Sequence, residues 1–194
     1  MVRLSKLSLT LCAAALFSSL HAADYELDLT HSTVGFSVKH LGISNVKGEF
    51  KTFTGSYTLD DKTKVLTKLA GDVTVESVNT GVEKRDNHLK SADFFDNAKF
   101  PKITFVMTKG SFKGQKGKIT GNLTIHGITK TVVLDASVAG PAIDPWGNTK
   151  SAVSLEGMIK RKDFGLTWNK ALEAGGFVVG EEVKLSIELE GNAK

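Results

Sequence analysis

Apolar and polar residues alternate with a period of two through most of the 194-residue chain, and each run keeps one face apolar. Tyr25, Leu27 and Leu29 share a face, as do Val34, Phe36 and Val38; Leu69, Val73 and Val75, with Gly71 between them; and Ile103, Phe105 and Met107. The pattern continues with Ile119, Leu123 and Ile125; Val132, Leu134, Ala136 and Val138; Val153, Leu155 and Ile159; and Val183, Leu185, Ile187 and Leu189. Val106, Val133 and Met158 fall on the opposite parity. From Val46 to Leu59 the face runs Val46, Gly48, Phe50 and restarts at Phe53, Gly55, Tyr57, Leu59. That three-residue step inside a period of two predicts a β-bulge bending one long strand.

Turn chemistry separates the runs: Asp60-Asp61, a glycine-rich hairpin loop from Gly110 to Gly117, Gly127, and Asp144-Pro145-Trp146-Gly147. One segment differs. Thr80-Gly81-Val82-Glu83 reads as a capping box opening a short helix to about Lys90, with Ser91 capping a second turn before Phe94 and Phe95. Eight or nine strands, short links and one helical insertion predict an all-β chain: an antiparallel sheet with one apolar face, which it hides by closing into a barrel.

A barrel of eight strands is either filled by its own side chains or wide enough for one small ligand. Gly48, Gly55, Gly71, Gly121, Ala136 and Gly157 lie on the inward parity, and small inward residues leave volume; the other reading has these glycines only marking bends in a solid core. Aromatic residues gather in two irregular stretches, Phe94, Phe95 and Phe100, then Phe164, Trp168 and Phe177, which form either a tunnel mouth or satellite clusters beneath loops. The candidate tunnel lining is Phe36, Val38, Phe53, Tyr57, Val73, Val75, Leu89, Phe94, Phe100, Phe105, Leu123, Ile125, Leu155, Ile159, Trp168 and Phe177.

Composition narrows the setting. Apolar residues at 41% and charged residues at 24% fit a globular protein, and a net charge of +4 is too small a surplus to point to nucleic acid. Arg3 and Lys6, an apolar run from Leu7 to Leu20 and small residues at Ala22 and Ala23 read as a cleavable export signal over residues 1–22, leaving one domain over 23–194 in the periplasm. Cleavage removes the single cysteine, Cys12, and lowers the net charge to +2.

Catalytic and metal signatures are sparse. His31, His40, His88 and His126 lack ligand spacing, and there is no GxSxG elbow and no phosphate-cradling GxxxxGK[ST]; neither metal nor cofactor is expected. Arg85 and His88 border one side of the predicted helix, where they either meet a polar ligand head or pin the helix over the barrel end. The lysines of the Gly110–Lys118 stretch either meet anionic lipid heads in a transient membrane contact or are simply solvated.

Several blocks resemble the YceI-like family: Tyr25, Leu27 and Asp28 with His31-Ser32; Phe36-Ser37-Val38-Lys39-His40-Leu41-Gly42; Gly48 and Phe50; Arg85 through Phe95; Phe100-Pro101; Gly121 through Lys130; and Arg161-Lys162-Asp163-Phe164-Gly165-Leu166. Ala174-Gly175-Gly176-Phe177 departs from the pattern. The resemblance implies an exported, lipocalin-like barrel whose interior takes the chain of an isoprenoid, a quinone-like or a fatty-acid-derived molecule, with no assigned catalytic residues and with homodimers among its members. Two other readings stay open: an enzyme acting on such a lipid through His31, His88 or Arg85, and a structural or stress protein with a filled core.

Overall fold

The computed structural model describes residues 22–173 and 175–194. The expected export signal over residues 1–22 therefore lies, Ala22 apart, outside the described residues. Eleven strands form: β1 Ala22–Leu27, β2 Thr33–His40, β3 Ser44–Phe50, β4 Phe53–Asp60, β5 Leu66–Thr74, β6 Val78–Asn79, β7 Lys102–Lys113, β8 Lys116–Ile125, β9 Ile128–Ile143, β10 Thr149–Lys160 and β11 Val179–Ala193, with one helix, α1, at Glu83–Lys90. Eight of them close a ring in the order β1-β4-β5-β7-β8-β9-β10-β11, with β11 returning to β1. The remaining three, β2, β3 and β6, branch from β11.

Parity decides which side chains point inward. Ile119, Leu134, Val153 and Leu155 are buried, while Val106, Val133 and Met158 are each more than half exposed on the outer face. Leu29 leaves the pattern because it falls in the turn between β1 and β2, where it is exposed. Between β3 and β4 the expected bulge is a full break. The Lys51 N–H donates to the Ser77 carbonyl (3.1 Å) and the Thr52 N–H to Ser77 Oγ (3.0 Å), so β3 peels away toward β2 and β6 while β4 pairs with β1 and β5.

The glycine-rich stretch is mostly strand: β7 runs to Lys113 and β8 resumes at Lys116, leaving Gly114-Gln115 as the turn. Between β8 and β9, His126 and Gly127 both have positive φ, the two-residue geometry that matches the right-handed twist of a hairpin. Helix α1 ends at the expected Lys90 but begins at Glu83, two residues after the start that a Thr80 cap implies. Val82 takes the cap position without a side-chain bond, and the Thr80 hydroxyl instead donates to Asp86 Oδ1 at 2.5 Å. Ser91 does cap the following turn, its Oγ accepting from the Asp93 N–H at 3.3 Å while donating back to the His88 carbonyl at 2.8 Å.

The barrel end away from α1 is solid. Tyr25 and Tyr57 stack with ring centroids 5.1 Å apart, packed with Leu59, Leu66, Ile119, Val138 and Val153. The Tyr57 hydroxyl donates to the Ser151 carbonyl at 2.7 Å, and burial pushes its pKa up to about 12 against the effect of Ser151.

The segment Asp28–Ser32 sits where β11 exchanges one partner for another, β1 beside Gly191–Ala193 and β2 beside Val179–Glu188. The buried Ser32 hydroxyl donates to the Asp28 carbonyl (2.7 Å) and accepts from the Glu190 N–H (2.9 Å), supplying bonds that neither strand provides at the fork. Lys150 Nζ reaches Asp28 Oδ2 and Glu190 Oε1, each at 2.8 Å.

Ser32→Ala leaves the Glu190 N–H unpaired, while the Asp28 carbonyl keeps the His31 N–H (3.2 Å), and the expected loss is about 1–3 kcal/mol of unfolding free energy, read from a urea titration. Lys150, with Thr30 and His31 adding to it, holds the Asp28 carboxyl well below the usual carboxylate range. A depressed folded value means stability that is present above the unfolded value of about 4 and lost as pH falls toward the folded one. Denaturation midpoints below pH 4 fall in the parent and flatten in Asp28→Asn; equal acid slopes in the two would contradict this.

Candidate functional site

Toward α1 the barrel is hollow. A cavity of about 200 Å³ runs inside β2, β5, β7 and β11 and up to Leu89, Phe94 and Phe95 around α1. Its room comes from the fork. Where β11 leaves β1 for β2 the wall flares, and inward Val34, Phe36, Val38, Val183, Leu185 and Ile187 are only half-buried, unlike Ile119 or Val153 at the plugged end. The space is therefore a blind pocket and not a through-tunnel.

Glycine does not make the room. A Cβ on Gly48 would lie 2.5 Å from Phe36 Cζ, one on Gly121 2.2 Å from Phe105 Cζ, and one on Gly157 2.4 Å from Leu134 Cδ2. Neighbouring side chains lean over these glycines and fill the space expected to be empty. Gly55 and Gly71 face each other across β4 and β5 so closely that an added Cβ would meet backbone carbonyls at 2.8 Å. Of the small inward residues, Gly71 lines the cavity, together with Gly35.

Eleven of the sixteen candidate lining residues border the cavity: Phe36, Val38, Phe53, Val73, Leu89, Phe94, Phe105, Leu123, Ile125, Leu155 and Ile159. Five do not. Tyr57 belongs to the plug, and Val75 is 1% exposed in the 3-10 turn after β5. Phe100 packs edge-on against His126 with centroids 4.6 Å apart. Trp168 lies over the ring of Phe94 at 5.3 Å, outside the lining, and Phe177 is 59% exposed. Val34, Val183, Leu185 and Ile187 also line the space, and their inward parity already marked them as core.

Arg85 and His88 stay outside the cavity. Arg85 donates from Nε to Thr80 Oγ1 (2.7 Å) and from Nη2 to the Thr80 carbonyl (2.9 Å), which ties α1 to the preceding loop. His88 bonds Asp93 at 2.8 Å and stands edge-on to Phe94 and Trp168. The polar group that sequence reasoning missed as a site residue is Arg161. It follows β10, is 3% exposed and lines the cavity. Asp72 also borders the space, but its carboxylate is held on the outer face by Lys102 and Thr54. Among the described residues Arg161 is thus the one charged side chain on an otherwise apolar wall.

One group of metal-type ligands exists among the described residues, Asp28, His31 and Glu190. Its two carboxylates already share the Lys150 ammonium, and its place is the outer seam of the barrel. His31 bonds Asp28 there at 3.0 Å and does not border the cavity. The pocket therefore offers apolar surface and one cation, a constellation suited to holding a tail.

The YceI-like domain pattern matches residues 25–191. Protein YceI of Salmonella arizonae is 40% identical over 183 residues, covering 92% of this chain and 93% of its own. The YCEI protein of Campylobacter jejuni, known as a crystal structure, is 42% identical, with a TM-score of 0.70 over 87% of this chain and 96% of its own. The same fold appears in a polyisoprenoid binding domain from Saccharophagus degradans at 17% identity, with a TM-score of 0.65 over 88% and 98% of the two chains. By sequence and by architecture alike, the chain belongs to the YceI-like family.

Proposed function

We propose that this chain is an exported carrier that shelters the apolar tail of a lipid, isoprenoid, quinone-like or fatty-acid-derived, in the periplasm. The observation that carries the reading is the blind apolar pocket: a volume of about 200 Å³ walled by aliphatic and phenyl side chains, plugged at one end. The polyisoprenoid-binding description of the Saccharophagus degradans domain agrees with it, and the apolar run at residues 7–20 supplies the export route.

Burying a tail of about 15 carbons at about 0.8 kcal/mol each gives a gross gain of about 12 kcal/mol. Lost freedom costs on the order of 4–15 kcal/mol and offsets much of it. The result is a reversible holder, which suits a carrier. Binding is the chemistry the pocket supports best, since among the described residues its wall presents no acid–base pair.

Two measurements check this. Native mass spectrometry of gently purified protein is expected to show an apolar adduct, released chemically unchanged into organic solvent; protein that neither retains nor rebinds any such molecule overturns the proposal. Filling the pocket separates it from a solid core. Ile187→Trp places bulk in open space and is expected to abolish tail binding while leaving the fold intact. Val75→Trp overpacks a filled site and is expected to lower stability by about 1–3 kcal/mol.

A further inference from the structure

The cavity wall holds one buried cation that nothing acidic neutralises. Arg161 donates from Nε to the Gly180 carbonyl (2.8 Å) and from Nη1 to the carbonyls of Leu166 (2.5 Å) and Trp168 (2.9 Å). Its Nη2 has only a long contact, 3.4 Å, to the Val179 carbonyl. Three of five N–H groups are thus well bonded, and Nη2 keeps donor capacity. Among the described residues no carboxylate lies within ion-pair distance of the guanidinium. Glu181, the acid whose field reaches it, is paired with Lys162 at 3.3 Å.

A guanidinium stays charged even when buried, and a cation beside an apolar wall, solvated only by carbonyl dipoles, gains from an anion. The position suits a head group. Arg161 follows the last residue of β10 and binds the carbonyl of Trp168, whose ring packs on His88 of α1, so the charge sits at the α1 end while the plug closes the other. An amphiphile with its tail toward Tyr25 and Tyr57 brings its head to this end.

We infer that Arg161 is a specificity-determining residue, giving the pocket a preference for amphiphiles with an anionic oxygen head group, carboxylate or phosphate, over neutral ones of equal chain length. This rests on the carrier reading and adds the head-group class to it. The carbonyl bonds position the guanidinium, and the free Nη2 donor meets the head. A charge-assisted hydrogen bond in such a site is worth about tenfold or more in affinity.

The test uses the mature protein with a neutral apolar dye, N-phenylnaphthylamine, in the pocket, displaced by dodecanoate, dodecyl phosphate or dodecanol. Either anion is expected to displace the dye at about tenfold lower concentration than dodecanol, and which of them does so names the head group. Arg161→Gln is expected to erase the gap between the anions and dodecanol, while Arg161→Lys keeps part of it. Because Arg161 also ties loop carbonyls together, the readout is the ratio between ligands within each variant, and the parent and Arg161→Lys decide the matter if the Gln variant does not fold. Equal displacement by dodecanol and both anions in the parent, or a gap that persists in Arg161→Gln, overturns the inference and leaves the carrier reading standing. A protein that binds neither the dye nor any of the three amphiphiles overturns the carrier reading and this inference with it.

Discussion

One strand with two partners on the same edge organises this molecule. β11 offers a continuous row of N–H and C=O groups from Val179 to Ala193, and no single neighbour covers it: β1 takes the last few residues and β2 the rest. Hydrogen bonding requires the row to be satisfied throughout, so the crossing point at Glu190 must be filled by something other than a strand. The Ser32 hydroxyl takes the Glu190 N–H and the Asp28 N–H donates to the Glu190 carbonyl, with Lys150 bridging the two carboxylates beside them. The same division forces the chain to break at Lys51-Thr52, because β3 and β4 follow partners that have already diverged.

The division also explains why one barrel is both solid and hollow. Where the ring closes with eight strands, its bore is narrow enough for Tyr25, Tyr57, Ile119 and Val153 to fill it. Past the fork, the wall passes through the pair β2–β3 instead, and the same density of side chains no longer reaches across. Empty space here follows from the path of the backbone and not from a shortage of side-chain volume.

That distinction marks how far the sequence could be read. Period-two counting separates inside from outside, and it placed Phe105, Leu123 and Leu155 on the cavity wall and Val133 and Met158 in solvent. It carries no information on depth along the barrel axis. Tyr57 and Val75 share the inward parity with the lining residues yet sit where the interior is filled. Inward glycines misled for a related reason: Phe36, Phe105 and Leu134 lean across strands onto them, which single-strand patterns do not show. Phe100, Trp168 and Phe177 lie in irregular segments with no period to orient them. Arg161, at a strand end, carries no signal of burial in its own neighbourhood. Its seclusion comes from the return of Val179 and Gly180 from a distant part of the chain.

The stacked tyrosines at the base turn the pocket into a cul-de-sac. Among the described residues the cavity runs from this base to Leu89, Phe94 and Phe95 around the short helix, so in the proposed carrier the first atoms of a guest to enter would be the last to leave. Such a container would not relay cargo through itself from a donor on one side to a receiver on the other. Loading and delivery would share one face and would therefore happen in turn, with the donor gone before the receiver arrives.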